Sequence, residues 1–185
     1  MKRWIDARIE RATWRGFLVW FAVLFAFSFW AFGMDSPWTR ALEAAGGALP
    51  ETQPGLPAIE PQRSLAQLGD ATGDYLLWQL LDIPYALMNL MAASLGMALG
   101  LKAVRLQATP LRWLLILPVL YAACELVENS LVALFASGAL APGEPLVLSQ
   151  QAATTLKFAA GMPSLALGAA GAAIAGAAGL IRLAR

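Results

Sequence analysis

Four long apolar blocks separated by shorter polar stretches dominate the chain, and they predict four membrane-spanning helices. The blocks run over residues 17–34, from 75 or 82 to 101, 111–135 and 154–183. Each is long enough to cross about 30 Å of hydrocarbon. Pro84 should kink the second helix or mark its first turn. We therefore expect an all-α membrane protein, a bundle of four transmembrane helices, with residues 1–185 in a single membrane domain.

The first block has a rival interpretation as a secretory signal peptide, because Ala31 and Gly33 are small residues suited to precede a cleavage site. The segment before the block is long for a signal peptide and carries Asp6 and Glu10. The block itself is dominated by bulky aromatic residues. These features favour an anchor that stays in the mature chain.

The arm over residues 1–16 is basic but also contains Trp4, Ile5 and Ile9. It is amphipathic, which is compatible with a short helix lying on the cytoplasmic membrane surface. The simpler interpretation, which we favour, is a solvated arm whose positive charges only fix the orientation of the chain.

Residues 35–80 form the longest connection, and two short helices are predicted in it. Ser36 and Pro37 are a typical N-cap and first-turn pair, and Gly46-Gly47 would end that helix. A proline-rich, irregular segment follows, and Ser64 is expected to begin a second helix through Leu68. The pattern leaves open whether this connection is a lid over the bundle or simple surface covering.

The distribution of Lys and Arg predicts the orientation in the membrane. The N-terminal arm, the turn between the second and third blocks and the C-terminus hold ten of the thirteen basic residues. Since basic residues concentrate on the cytoplasmic side, both termini should be cytoplasmic and the two other loops outside. The expected location is a bacterial inner membrane.

Composition narrows the chemistry further. The chain is 59% hydrophobic and 14% charged, with no His and a single cysteine, Cys124. A lone cysteine forms no intramolecular disulfide, and without His there is no His-ligated zinc or haem. We expect no cofactor, no metal and no nucleic-acid partner. Cys124 fits a small core residue better than a nucleophile.

Small residues line one face of each of two helices. Gly96 and Gly100 lie four residues apart in the second block. In the fourth block the same spacing relates Ser164, Gly168, Ala172 and Gly176. Such faces allow close helix contact, so we assign them to packing.

The candidate chemistry lies in the third block. There the segment YAACELVEN, Tyr121 to Asn129, interrupts the apolar run with polar residues. A charge at the centre of a membrane helix costs roughly 2.5–3.5 kcal/mol, so these acids need partners. A rise of about 1.5 Å per residue puts Glu125 and Asn89 at one depth, with Asp82 and Lys157 near the outer interface. Candidate site residues in the outer half of the bundle are therefore Asp82, Tyr85, Asn89, Tyr121, Glu125, Glu128, Asn129, Thr154 and Lys157.

Two interpretations of this cluster stay open. The first is a polar chamber open to the outer side, whose carboxyl groups act in acid–base chemistry or bind a cationic head group. The second is an ionic clamp. In the clamp, Lys157 pairs with Glu128 or Asp82 and holds the helices in register. Three acids against one lysine leave surplus negative charge, so some carboxyl group is neutral or meets an outside cation. This surplus favours the chamber.

A resemblance adds weight to the same residues. Gly73-x-Tyr75 ahead of Asp82, Glu125-x-x-Glu128-Asn129 and Thr154-x-x-Lys157 together resemble motifs of a family of small uncharacterised bacterial four-span membrane proteins. The similarity covers residues 65–160. The chain differs from that family in having Glu125 where Asp is commoner and in lacking an Arg before Tyr75. The resemblance implies a site and no particular reaction.

The functional hypothesis is a multipass membrane protein whose polar site binds, or processes, a membrane lipid or another small amphiphilic ligand. The first alternative is a structural or assembly subunit held by the ionic clamp. A weaker alternative is a cation- or proton-coupled transporter subunit, which four spans without an inverted repeat support poorly. The sequence leaves open whether the protein is an enzyme. It also leaves open whether the protein forms a homo-oligomer or joins a partner subunit.

Overall fold

The computed structural model describes residues 1–52 and 59–183, and seven α-helices account for most of them. They are α1 (Lys2–Arg11), α2 (Trp14–Ala31), α3 (Pro37–Ala44), α4 (Ile59–Gln67), α5 (Thr72–Ala103), α6 (Ile116–Ala136) and α7 (Glu144–Leu183). Short 3₁₀ turns cover Pro50–Thr52, Gly69–Ala71 and Pro110–Leu115. Helices α2, α5, α6 and α7 are long and apolar enough to cross a membrane, which confirms the predicted all-α class with four membrane-like helices.

Helix α5 is the centre of the bundle. It packs against α2, α6 and α7, and the last two also pack against each other. The start of α2 lies near the last turns of α7, where Gly176 faces the Trp14 ring. This end of the bundle, called the termini end, also holds the connection from α5 to α6. The opposite end, called the loop end, carries the segment between α2 and α5 and the turn over residues 137–143.

Glycines bring α5 and α7 into backbone contact, as the small-residue faces predicted. A Cβ atom added at Gly96 would lie 2.9 Å from the carbonyl carbon of Gly168, and one added at Gly100 would lie 2.5 Å from the Cα of Gly171. Distances this short leave no room for any side chain. The two helices therefore approach as closely as their backbones allow, which is the usual role of such faces in membrane bundles.

We expect Gly168→Leu to lower the melting temperature of the protein in detergent, because the new side chain must separate α7 from Ala93 of α5. Overpacking of this kind costs roughly 1–3 kcal/mol, and backbone contact places this site at the upper end. Gly179→Leu is the matched control on the same helix, since a Cβ there meets nothing within 4 Å. Equal melting temperatures for the two variants would remove Gly168 from the interface.

The N-terminal arm is packed, so the solvated arm favoured from the sequence is wrong. Helix α1 buries Ile5 and Ile9 in a core cluster with Leu95 and Leu99 of α5. The ammonium group of Lys102 donates a hydrogen bond of 3.1 Å to the carbonyl of Ala12. The alternation of apolar and basic residues in this arm thus reflects a helix with one face on the bundle.

Two predicted boundaries were also wrong, in each case at a proline. Helix α7 begins at Glu144, ten residues before the predicted start, because Pro145 occupies the first turn, where no backbone N–H is needed. Helix α4 begins at Ile59 rather than at Ser64, with Pro61 in its first turn. Pro84 lies inside α5, which begins at Thr72, so of its two predicted roles only that of a first-turn residue is excluded. Residues 53–58 of the predicted proline-rich segment lie outside the described residues.

The described parts of the connection between α2 and α5 pack on the loop end of the bundle. Helix α3 begins as predicted, with the Ser36 hydroxyl accepting a hydrogen bond of 3.1 Å from the backbone N–H of Thr39. Ala41 of α3, Leu49 and Leu68 form a buried cluster with Tyr75 of α5 and Val132 of α6. This cluster fixes the turn Pro50–Thr52 over the polar residues described next.

Candidate functional site

A cavity of about 290 Å³ opens between α5, α6 and α7 near the loop end, and we call it the polar chamber. Five of the nine predicted site residues line it: Asp82, Tyr85, Tyr121, Glu125 and Lys157. The rest of its wall comes from Phe32, Trp38, Glu51, Thr52, Trp78, Phe158, Gly161, Met162 and Leu165. Its volume is at the lower end of the range of clefts that hold small ligands, about 300–1,000 Å³.

Two carboxyl groups, those of Asp82 and Glu125, are adjacent in the chamber wall. Asp82 accepts a hydrogen bond of 3.1 Å from the side-chain amide of Asn129. Glu125 Oε2 lies 3.2 Å from Lys157 Nζ. Within the described part of the chain, no group donates a hydrogen bond to this oxygen. Both residues are only 4% exposed, so their remaining polar capacity faces the chamber and not bulk solvent.

Behind this wall lies a closed ionic clamp, formed by Glu128, Lys157, Thr154 and Gln150. Glu128 is fully buried, and it accepts hydrogen bonds from the Lys157 ammonium group and from the Thr154 hydroxyl. The side-chain amide of Gln150 donates to Thr154 Oγ1 at 2.8 Å and to Glu128 Oε1 at 3.4 Å. The clamp joins α6 to α7 and satisfies both oxygens of Glu128, as a buried charge requires.

A fourth acid, Glu51, enters the chamber from the connection between α2 and α5. Its carboxyl group accepts hydrogen bonds from the Tyr75 hydroxyl at 2.7 Å and from the Gln79 amide at 3.0 Å. Burial raises the pKa of Glu51 from its ordinary 4.5 to about 7, against the opposing effect of the Tyr75 hydrogen bond. Sequence reasoning missed Glu51, because nothing in a proline-rich loop indicates which of its acids turns inward.

The raised pKa of Glu51 predicts a pH-dependent stability. Since the folded protein binds this proton more tightly than the unfolded chain, the free energy of unfolding should fall from about pH 4.5 to about pH 7 and level off above. Melting temperatures measured across this range in one detergent test it. Glu51→Gln keeps the side-chain shape but cannot titrate, so the fall with pH should be smaller in the variant than in the wild type. The same slope in both proteins would assign the effect to other groups.

Aromatic rings form one side of the chamber. The ring centroids of Trp38 and Trp78 are 5.1 Å apart, and Phe32 lies 5.3 Å from Trp78 and 5.6 Å from Tyr85. These rings come from α3, from α5 and from the residue that follows α2. We call them the aromatic wall. It brings ring faces and edges to the same cavity as Asp82 and Glu125.

An apolar groove lies next to the chamber, on the side toward the termini end. It has a volume of about 240 Å³ and lies between α2 and α7, with α5 as its floor. Its lining residues are Phe17, Phe21, Leu24, Ala92, Ala93, Leu165, Gly168 and Ala169. Leu165 lines both the chamber and the groove. A polar cavity and an apolar track are therefore adjacent in the protein.

The structure places the other four predicted residues outside the chamber wall. Glu128 and Thr154 belong to the clamp, and Asn129 supports Asp82 from behind. Asn89 is buried but donates to the carbonyl of Tyr85 in its own helix. Lys157 meets Glu125 and Glu128 at their own level, well inside α7. The early start of α7 explains this, because Lys157 lies thirteen residues into the helix.

Comparison of the chain with protein-family models, with curated proteins and with solved structures found no match. The resemblance based on the Glu-Asn and Thr-x-x-Lys motifs therefore stays a prediction. The function has to be argued from the geometry of the chamber, the clamp and the groove.

Proposed function

We propose that this chain is a multipass protein of a bacterial inner membrane that binds a small amphiphile, with the polar head in the chamber and the apolar chain in the groove. The observation that carries the proposal is the adjacency of the two cavities, which share Leu165 in their linings. A soluble polar ligand needs no apolar track, and an acyl chain alone needs no buried acids. A molecule with both parts matches the whole site.

The outer faces of the helices support access from the membrane. Phe158, Met162 and Leu165 line the chamber, yet they are 43%, 67% and 45% exposed. Large apolar side chains exposed on a helix long enough to span a bilayer suit contact with lipid chains. An amphiphile could therefore enter sideways between α2 and α7, which are not packed tightly against each other at the groove.

The ionic clamp supports a structural function for part of the same cluster. Glu128 is satisfied by Lys157 and Thr154 behind the chamber wall, and these contacts tie α6 to α7. This contact pattern favours applying the two interpretations left open by the sequence to different residues. We propose that Glu128 stabilises the bundle, while Asp82, Glu125 and Glu51 serve the ligand.

We also propose that both termini are cytoplasmic, so that the chamber lies in the outer half of the membrane. Lys102 and Arg112 lie at the termini end beside the basic helix α1, as the positive-inside rule requires of a cytoplasmic face. In a variant with Cys124 replaced by Ser, a cysteine introduced as Ala139→Cys should react with an impermeant maleimide in intact cells. Gln107→Cys should react only after permeabilisation. The reverse pattern would invert the proposed orientation.

Native mass spectrometry of the protein, purified in a mild detergent, tests the proposed function. We expect one tightly held amphiphile per chain in the wild type. Leu165→Trp should lower its occupancy by at least about tenfold, because the indole would fill the junction of chamber and groove. Leu180→Trp is the control, since Leu180 lies on the same helix, is 70% exposed and lines neither cavity. Equal occupancy in both variants, or none in the wild type, would contradict the proposal.

A further inference from the structure

We propose that the head group of this amphiphile is a positively charged ammonium group, either a primary amine or a methylated one. The inference rests on the proposed function and names the chemical class of its ligand. It comes from three features of the polar chamber: its charge, an acceptor without a donor, and its aromatic wall.

The charge of the site is strongly unbalanced. Three buried acids, Glu51, Asp82 and Glu125, line it, and Glu128 is buried behind its wall. Lys157 is the single basic residue in the chamber lining that the structure describes. Lys157 is already engaged by Glu128 on one side and Glu125 on the other. Further negative charge from an anionic head group would be buried without a countercharge, which is costly. A cation would supply the countercharge that the acids lack.

The second feature is the open acceptor on Glu125. Its Oε2 atom is buried against the chamber and makes no hydrogen bond within the described residues, although Lys157 lies 3.2 Å away. Lys157 supplies a positive charge near this oxygen but no hydrogen bond, so an acceptor position of a buried carboxyl group beside the cavity stays open to a donor from a ligand. A charged N–H donor, or the positive face of a methylated ammonium group, fits that position.

The third feature is the aromatic wall of Trp38, Trp78, Phe32 and Tyr85. Aromatic faces attract cations, Trp most strongly, and cages of such rings beside carboxylates are a recurrent way to bind methylated ammonium groups. Lys157 already shows this kind of contact in the chamber, with Nζ 5.4 Å from the centre of the Phe158 ring. An apolar head would make no use of Asp82 and Glu125, and an anionic one would be repelled by them.

Binding of defined probes, counted by native mass spectrometry of the detergent-purified protein, tests the inference. The probes are dodecyltrimethylammonium, the chain-matched anion dodecyl phosphate and free tetramethylammonium without a chain. We expect one saturable copy of dodecyltrimethylammonium, held at least about tenfold more tightly than either other probe. Glu125→Gln and Asp82→Asn, both close in shape to the native residues, should each weaken it by a similar factor. Asp70→Asn, which removes an exposed acid outside the chamber, should leave it unchanged.

A third variant keeps the test decisive if an acid substitution fails to fold. Trp78→Leu removes part of the aromatic wall without touching a charge, and it should selectively weaken the trimethylammonium probe. Retention of that probe by Glu125→Gln or Trp78→Leu at wild-type affinity would overturn the inference.

The outcomes also separate the inference from the proposed function. If dodecyl phosphate binds as tightly as the ammonium probe and Leu165→Trp abolishes both, the amphiphile site stands and the head-group assignment is wrong. If tetramethylammonium binds as tightly as the chain-bearing probe, the chamber binds a soluble cation and the proposal of an amphiphilic ligand is wrong. If no probe binds, both proposals fail.

Discussion

Replacement of Lys157 by methionine should lower the free energy of unfolding by roughly 3–5 kcal/mol, the usual cost of leaving a buried charge without its partner. Methionine keeps the length of the side chain but removes the ammonium group that satisfies Glu128 and approaches Glu125. Glu128 is fully buried and has no access to water that could replace the lost contact. Denaturation in a fixed detergent mixture, followed by far-UV circular dichroism, gives the difference.

The double-mutant cycle with Glu128→Gln isolates the pair. If Glu128 and Lys157 form the clamp, the double variant should recover much of the stability lost in Lys157→Met, because the neutral amide needs no countercharge. Glu125→Gln is the control for the cycle, since Glu125 faces the chamber and should rescue Lys157→Met far less. Equal rescue by the two substitutions would mean that clamp and chamber are not separate parts of the site.

The second large effect is expected from Gly161→Leu, which should close the polar chamber. A Cβ atom at Gly161 would lie 2.7 Å from Cδ2 of the Tyr121 ring, so the ring must move. Gly161 and Tyr121 both line the chamber, and a leucine side chain would take up space in it. We expect bound amphiphile, counted by native mass spectrometry, to fall by at least about tenfold.

Gly179→Leu, in an open position on the same helix, controls for the loss of a glycine from α7. Since Gly161 meets the Tyr121 side chain and not the backbone of α5, its variant should lose less thermal stability than Gly168→Leu. A Gly161→Leu protein that retains its amphiphile at wild-type occupancy would show that the ligand lies elsewhere.

The periodicity and length of the apolar blocks were sufficient to predict the bundle, because membrane helices must satisfy their own backbone hydrogen bonds within one segment. The glycine faces were predicted for a similar reason. Gly96 and Gly168 lie at spacings that a packed helix pair imposes, and the structure brings them into contact. Boundaries were less predictable, since Pro145 suits a loop and a first helical turn equally well.

The acids of α6 were predictable because Glu125 and Glu128 interrupt a long apolar run, where an unpaired charge is costly. The division between them was not predictable. Glu125 and Glu128 lie one helical turn apart, yet Glu128 contacts Thr154 and Lys157 whereas Glu125 lines the cavity. This difference depends on how α7 packs against α6. Glu51 and Trp38 were missed because they reach the chamber through tertiary contacts of a loop, which leave no periodic signal in the sequence.

Photo-cross-linking tests most directly the central claim that chamber and groove hold one amphiphile. The probe is an ammonium amphiphile with a diazirine at the end of its chain, added to the protein in detergent and mapped by peptide mass spectrometry. We predict labelling concentrated on the groove residues Phe21, Leu165 and Ala169, removed by excess unlabelled probe and by Gly161→Leu. Labelling spread evenly over exposed helix faces such as Phe25 and Leu180, and unaffected by competitor or variant, would contradict the account.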